Sequence, residues 1–180
     1  MHSLSLNKVF TLLESGPVVL LSTCDEGRNN VMPITWTMVL GFDASFAIST
    51  GAWNYSYRAL EKTRECVLNI PTVDMLDTVI ALGMCSGEDT DKFAAFNLTP
   101  QKAKHVRAPL VGECIGAIEC RVVDIIERHS ILVLEGLAGW CDESRAEKRV
   151  IHGVGDGMFR ADGEAFDRRQ AMRTKLPPGV

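Results

Sequence analysis

Asn30-Val31-Met32-Pro33-Ile34-Thr35-Trp36-Thr37-Met38, with its continuation to Arg58, is the stretch whose reading decides the fold. Over positions 34–38 the residues alternate. Ile34, Trp36 and Met38 fall on one face and Thr35 and Thr37 on the other, the period of a strand with one buried side. Gly41-Phe42-Asp43 reads as a turn and Ser45-Phe46-Ala47-Ile48-Ser49 as the returning strand. The return runs into Ser49-Thr50-Gly51 and then Asn54-Tyr55-Ser56-Tyr57-Arg58, where a helix is expected to begin with Asn54 or Ser56 as its cap. Hydroxyls and small residues thus meet a helix N-terminus, whose unpaired N–H groups and dipole favour a phosphate. The threonine strand beside it offers hydroxyls and backbone groups to a flat heteroaromatic ligand. Taken alone, the same residues also fit a plain helix cap after an ordinary hairpin.

Upstream, residues 18–23 form a continuous apolar run short enough for a buried strand. The polar Asp25-Glu26-Gly27-Arg28-Asn29-Asn30 joins it to the Met32 segment as a hairpin. Positions 8–13 read as a short helix stopped by Gly16-Pro17. Downstream, the helix over 56–65 leads into a short strand at 66–70, closed by Pro71. Thr72 is expected to cap a helix carrying Val73, Leu76, Val79 and Ile80 and ended by Gly83. Residues 89–96 read as helical, and 115–126 and 130–140 as two long strands joined through Glu127-Arg128-His129. Positions 143–150 form a short helix or loop, and 152–157 a glycine-rich loop leading to a last strand around Phe159. Many short antiparallel strands with a few helices describe one α+β domain over residues 1–180, mainly antiparallel β, built on a small barrel. No Gly-x-Gly-x-x-Gly follows the first strand, which disfavours a doubly wound sheet.

The composition, 46% hydrophobic and 23% charged, is that of a globular protein. A net charge of −4 and a pI near 5.6 argue against broad binding to nucleic acid or to an anionic membrane. The apolar runs are too short to span a bilayer. Met1-His2-Ser3-Leu4 has neither a basic region nor a long apolar core, so no signal peptide is expected. The six cysteines form no Cys-x-x-Cys pair, and several sit in apolar segments; they read as buried free thiols of a reducing cytoplasm. Cys114 and Cys120 could share a strand face, without the spacing of a compact zinc site. The four histidines form no metal-binding pair.

Several pieces of the chain carry a family resemblance. Gly16-Pro17-Val18-Val19-Leu20-Leu21-Ser22-Thr23, then Asn30-Val31-Met32 with Trp36 four residues on, resembles the opening of the flavin reductase-like proteins with an FMN-binding split barrel. Asn54-Tyr55-Ser56-Tyr57, Arg64-Glu65-Cys66-Val67-Leu68-Asn69-Ile70-Pro71, Asp91-Lys92-Phe93, Ala108-Pro109-Leu110 and Gly155-Asp156-Gly157 continue it in order, nearest to the flavoredoxin members. The resemblance implies an antiparallel split barrel forming a homodimer, with FMN held non-covalently near the subunit interface. Met32, Pro33, Ile34, Thr35, Trp36 and Thr37 would lie along the isoalloxazine. Ser49, Thr50 and Gly51 would approach the ribityl chain or the phosphate. Asn54, Ser56 and Tyr57 would hold the phosphate, with Lys92 or Arg58 as its counter-charge. Trp36 reads equally as a ring neighbour and as core. Pro33, Thr35, Thr37, Tyr55 and Arg58 depart from the family pattern, in which threonine, glycine, histidine, histidine and an acidic residue are common at these places. Thr37 and Tyr55 therefore withdraw two proton donors from the flavin neighbourhood.

The activity that follows from the resemblance is FMN-dependent oxidoreduction of the NAD(P)H:flavin reductase kind, electrons passing through the flavin to a small-molecule or protein acceptor. The flavin carries the chemistry, and no side chain is required as acid or base. The alternatives are a flavoredoxin-type electron carrier with little direct NAD(P)H oxidation and a non-catalytic FMN-binding protein.

Overall fold

Residues 18–23 are apolar without a break because both faces of their strand are covered. Val19 and Leu21 enter the main core, while Val18 and Leu20 point the other way into a second cluster. The structure is a computed structural model that describes residues 2–7, 9, 16–155, 157–175 and 177. The helix expected over 8–13, Asp156 of the glycine run and the last residues of the tail lie outside the described residues.

In chain order the strands are β1 (His2–Leu4), β2 (Val19–Asp25), β3 (Arg28–Ile34), β4 (Thr37–Gly41), β5 (Ser45–Ser49) and β6 (Glu65–Ile70). They continue as β7 (Pro100–Gln101), β8 (Leu110–Val111), β9 (Gly116–Ile126), β10 (Ile131–Cys141), β11 (Ile151–Gly155) and β12 (Met158–Ala161). The helices are α1 (Ser56–Thr63), α2 (Leu76–Gly83), α3 (Lys92–Ala95) and α4 (Arg169–Met172). The main sheet is antiparallel throughout, in the order β3-β2-β6-β9-β10-β5-β4, with β1 added to the far end of β10.

That order dictates the shape. β3 and β4 are the two outer strands, yet only Thr35 and Trp36 separate them in the chain. Three Cα steps of about 3.8 Å cannot bridge the ~29 Å width of a flat seven-stranded path. The sheet must curl until its edges approach. Because β3 and β4 do not pair with each other, the barrel stays open along that seam. Gly153 of β11 lies against Thr35 at the seam, where a Cβ would meet the threonine methyl at 2.8 Å.

Phe46, Ile48, Leu68, Ile118, Leu132 and Leu134 fill the barrel interior, and Tyr57 and Leu60 of α1 close one end. On the outer side of β2 and β3, Met75, Val79, Leu82 and Phe93 bring α2 and α3 onto the sheet. The fully buried Asn69 ties these layers together. Its amide donates to the Leu20 carbonyl at 2.9 Å and accepts from Val111 N–H at 2.8 Å.

Several expectations change. The alternation at 34–38 is not one strand with a buried face. β3 stops at Ile34, Thr35 and Trp36 cross the seam, and β4 is the outer strand, so Trp36 is 69% and Met38 53% exposed. α1 begins at Ser56 without a side-chain cap, because Asn54 and Ser56 are turned to Thr50 and Asn30. Thr72 does not cap a helix either. Its hydroxyl is taken by Asp74 and Arg145, and a 3-10 turn (Val73–Met75) comes before α2, which leaves Ile80 exposed. The helix expected over 89–96 shrinks to α3, where the Asp91 carboxylate accepts from Ala94 N–H at 3.2 Å. Positions 143–150, expected as a short helix or loop, form a loop that ends in a bridge from Val150 to Thr72. The glycine-rich run is itself β11, paired with β12. Cys114 and Cys120 do not share a face: Cys114 precedes β9 and packs under α2, and Cys120 points into the barrel.

Candidate functional site

Beside β3, on the outside of the barrel, a cleft of about 290 Å³ opens between the start of α1 and the segment from Leu82 to Gly87. Met32, Pro33, Asn54, Ser56 and Lys92, five of the expected site residues, line it together. Lys92 is placed by the Asp91-capped α3 and is only 3% exposed. Its ammonium donates to the Leu82 carbonyl at 2.7 Å, a helix C-terminal turn that favours a cation. An ammonium has three donors. The other two are left for a ligand. Burial pushes the Lys92 pKa below its ordinary value, so the site gains when an anion joins the charge.

Asn30 forms the floor. Its Nδ2 donates to Ser56 Oγ at 2.8 Å, while its Oδ1 is buried without a partner. The α1 N-terminus beside it has no side-chain cap and no acidic residue in its first turn. Buried cation, unsealed helix start and an amide that can turn either end inward make a donor set suited to a phosphate or similar anion. Gly87 packs closely on that floor: a Cβ there would stand 2.1 Å from Asn30 Oδ1, so the Asn30 side chain or the loop would have to shift. Arg28 holds that loop in place, donating to the Gly87 and Glu88 carbonyls at 2.6 and 2.7 Å while its guanidinium stacks over Tyr55 at 5.5 Å. Past Tyr55, a second cleft of about 380 Å³ shares Asn30, Tyr55 and Ser56 with the first and adds Thr23, Arg28 and Arg58. Arg58 thus stands one cleft away from Lys92.

On the other side of the seam, Thr35, Trp36, Thr37 and Ser49 line a shallow groove of about 380 Å³ with Met38 and Ile131. It is mostly apolar, and Thr37 Oγ1 is buried there without a partner. Thr50 ties the two regions: its hydroxyl accepts from Asn54 Nδ2 at 3.1 Å, and its N–H donates to the Ser130 carbonyl. Gly51 lets the Trp53 ring lie on the backbone, where a Cβ would meet that ring at 2.3 Å. The side chains of Ile34 and Tyr57 are in the core rather than in either hollow, and burial raises the Tyr57 hydroxyl pKa.

Sequence reasoning missed Asn30, Arg28, Gly87 and Trp53. Asn30 and Arg28 read as turn residues, although Asn30 belongs to the very stretch that decides the fold. His152 does not face either hollow; it is half-buried on β11, with Nε2 2.8 Å from Asp162 Oδ1. Among the described residues no group of three His, Cys, Asp or Glu could hold a metal ion.

Comparison with known proteins gives the family and the fold. The family model for the flavin reductase like domain matches residues 13–158. An FMN-binding domain of a flavin reductases-like enzyme from Shewanella baltica OS155 superposes with a TM-score of 0.85 at 23% identity, over 92% of this chain and 96% of that one. Flavoredoxin of Desulfovibrio vulgaris (Miyazaki F) is 30% identical with a TM-score of 0.76, over 85% and 90%. An uncharacterized protein of Archaeoglobus fulgidus is 31% identical over 111 residues, a match to 60% of this chain that spans 63% of the relative's length. With most of its length matched by the family model and the open barrel shared, this chain belongs to the flavin reductase-like domain family.

Proposed function

We propose that the chain is an FMN-dependent oxidoreductase, taking electrons from NADH or NADPH and passing them to a small-molecule or protein acceptor. The observation that carries the reading is Lys92: a buried ammonium with two free donors, beside an uncapped helix start and the Asn30 side chain, whose Oδ1 has no partner. Such a site suits the phosphate of FMN, and the relative from Shewanella baltica is described as FMN-binding. Lys92, Ser56, Asn54 and Asn30 would hold the phosphate. Met32 and Pro33, with Thr35, Trp36 and Thr37 across the seam, would border the ring, and Ser49, Thr50 and Gly51 the ribityl chain. Bound flavin would supply hydride and single-electron transfer. The protein's share is to bind, orient and shield it.

A homodimer fits the same reading. Met38 and Leu40 stand exposed along the outer strand β4, with Trp36 just before it and Phe42 in the following turn, an apolar row that a second copy would cover. The free cysteines accord with the cytoplasm, and no helix among the described residues is long and apolar enough to cross a membrane.

The likeness to flavoredoxin favours one other reading, an electron carrier fed by another protein. Anaerobic mixing of the FMN-loaded protein with NADH and, separately, NADPH decides between them. Fast bleaching of the flavin band is the expected result. Bleaching by dithionite alone supports the carrier, and failure to take up FMN refutes both.

A further inference from the structure

Cys85 stands in the same cleft as Lys92, and the two side chains converge on one acceptor. Lys92 Nζ donates to the Leu82 carbonyl at 2.7 Å, and Cys85 Sγ makes a long 3.9 Å contact with the same oxygen. Cys85 is half-buried and lines the cleft. The same cleft holds the spare Lys92 donors and Asn30, 5% exposed, whose Oδ1 has no partner.

The other cysteines are differently placed. Cys66, Cys114 and Cys120 are wholly buried, and burial raises the pKa of Cys114 and Cys120. Burial, then Glu143 and Asp142, raises that of Cys141. Cys24 is half-buried and lines neither of the two clefts beside α1. Of the thiols that solvent reaches, Cys85 alone shares a cleft with a cation that keeps donors free.

We infer that Cys85 is a modification site that takes small, carboxylate-bearing disulfides, and that its mixed disulfide blocks the cleft. The Cys85 sulfur attacks one sulfur of the disulfide and loses its proton to solvent. A new S–S bond forms, the old one breaks, and the departing half leaves as a thiolate; Cys85 is oxidised and the leaving half reduced. The Lys92 ammonium, with its spare donors in the same cleft, attracts the carboxylates of the incoming molecule. A thiol in solution reverses the step. The reactivity of Cys85 stands on the cleft alone, whereas the competition with FMN rests on the proposed function.

The test treats the full-length protein with glutathione disulfide and follows each cysteine by peptide mass spectrometry. Cys85 is expected to react at least about tenfold faster than Cys24 and Cys141, and Lys92→Gln to slow it by about tenfold without changing the other two. Equal rates at Cys85, Cys24 and Cys141 in the unsubstituted protein would overturn the inference, however the variant folds. Saturating FMN is expected to protect Cys85. FMN that binds without protecting it overturns the blocking of the cleft. If FMN does not bind at all, the flavin reading fails, and the preference for Cys85 over Cys24 and Cys141 then decides the modification site by itself.

Discussion

Lys92 sets stability against binding. Its folded-state pKa lies below the ordinary lysine value because burial penalises the charge. The folded protein therefore holds this proton less tightly than the unfolded chain does. Its share of stability is smallest with the lysine charged, and rises with pH as pH climbs from the folded toward the unfolded pKa. Lys92→Met removes the buried charge at similar length. The variant is expected to melt at or above the parent temperature at neutral pH, with the difference shrinking in alkali. Its FMN affinity is expected to fall by about tenfold or more, the loss of one charge-assisted contact. Thermal melts across pH and a flavin-fluorescence titration check the two halves. A lower melting temperature together with unchanged affinity would assign Lys92 a structural role.

Two elements show how loops are held to the barrel by buried acceptors. Glu119 of β9 is wholly buried, and its carboxylate accepts from Lys104 N–H, His105 N–H and Trp140 Nε1–H at 2.6–2.9 Å. It pins the segment after β7 to the sheet. Glu119→Gln lowers stability by about 2 kcal/mol, because an amide offers those donors a neutral oxygen in place of a charged one and leaves its own NH₂ unpaired. Urea unfolding measures that difference, and an unchanged midpoint would contradict it. At the cleft, Gly87→Ala forces its methyl against the Asn30 amide, which lies 2.1 Å from the Cβ position. Either Asn30 gives up Ser56 or the loop leaves Arg28. The expected result is several-fold weaker FMN binding with stability within about 1 kcal/mol of the parent. Equal affinities for parent and variant would show that the loop does not border the ligand.

For the whole molecule, the proposed dimer would form at the outer strand β4. Trp36, Met38 and Leu40 present an apolar row at a sheet edge, a surface that a monomer rarely leaves open. Light scattering after size exclusion is expected to find a dimer in the parent and a monomer in Trp36→Glu/Met38→Glu. Far-ultraviolet circular dichroism is expected to be the same for both, since these side chains are mostly exposed and lie outside the core. A double variant that stays dimeric would place the interface elsewhere.

Local chemistry was legible in the residues. The apolar run at 18–23, the Glu26-Gly27 turn, the returning strand at 45–49 and the two long strands near the end were readable because turn residues and periodicity act over a few positions. So was the convergence of Met32, Pro33, Asn54, Ser56 and Lys92, through the family resemblance and the helix start at Ser56. What periodicity could not supply was the closure of the sheet. Thr35 and Trp36 join its two edges, and alternation counted through them assigns Trp36 and Met38 to a buried side. Whether a strand's face is covered depends on which distant strand lies beside it. Asn30 shows the same limit. Beside Asn29 it reads as turn; only the approach of α1 and of Gly87, from 26 and 57 residues away, makes it the floor of a cleft. Sequence determined most of the elements and the residues able to hold an anion. The tertiary structure decided which of them face one another, because burial and pairing are set by contacts between parts of the chain that no local pattern records.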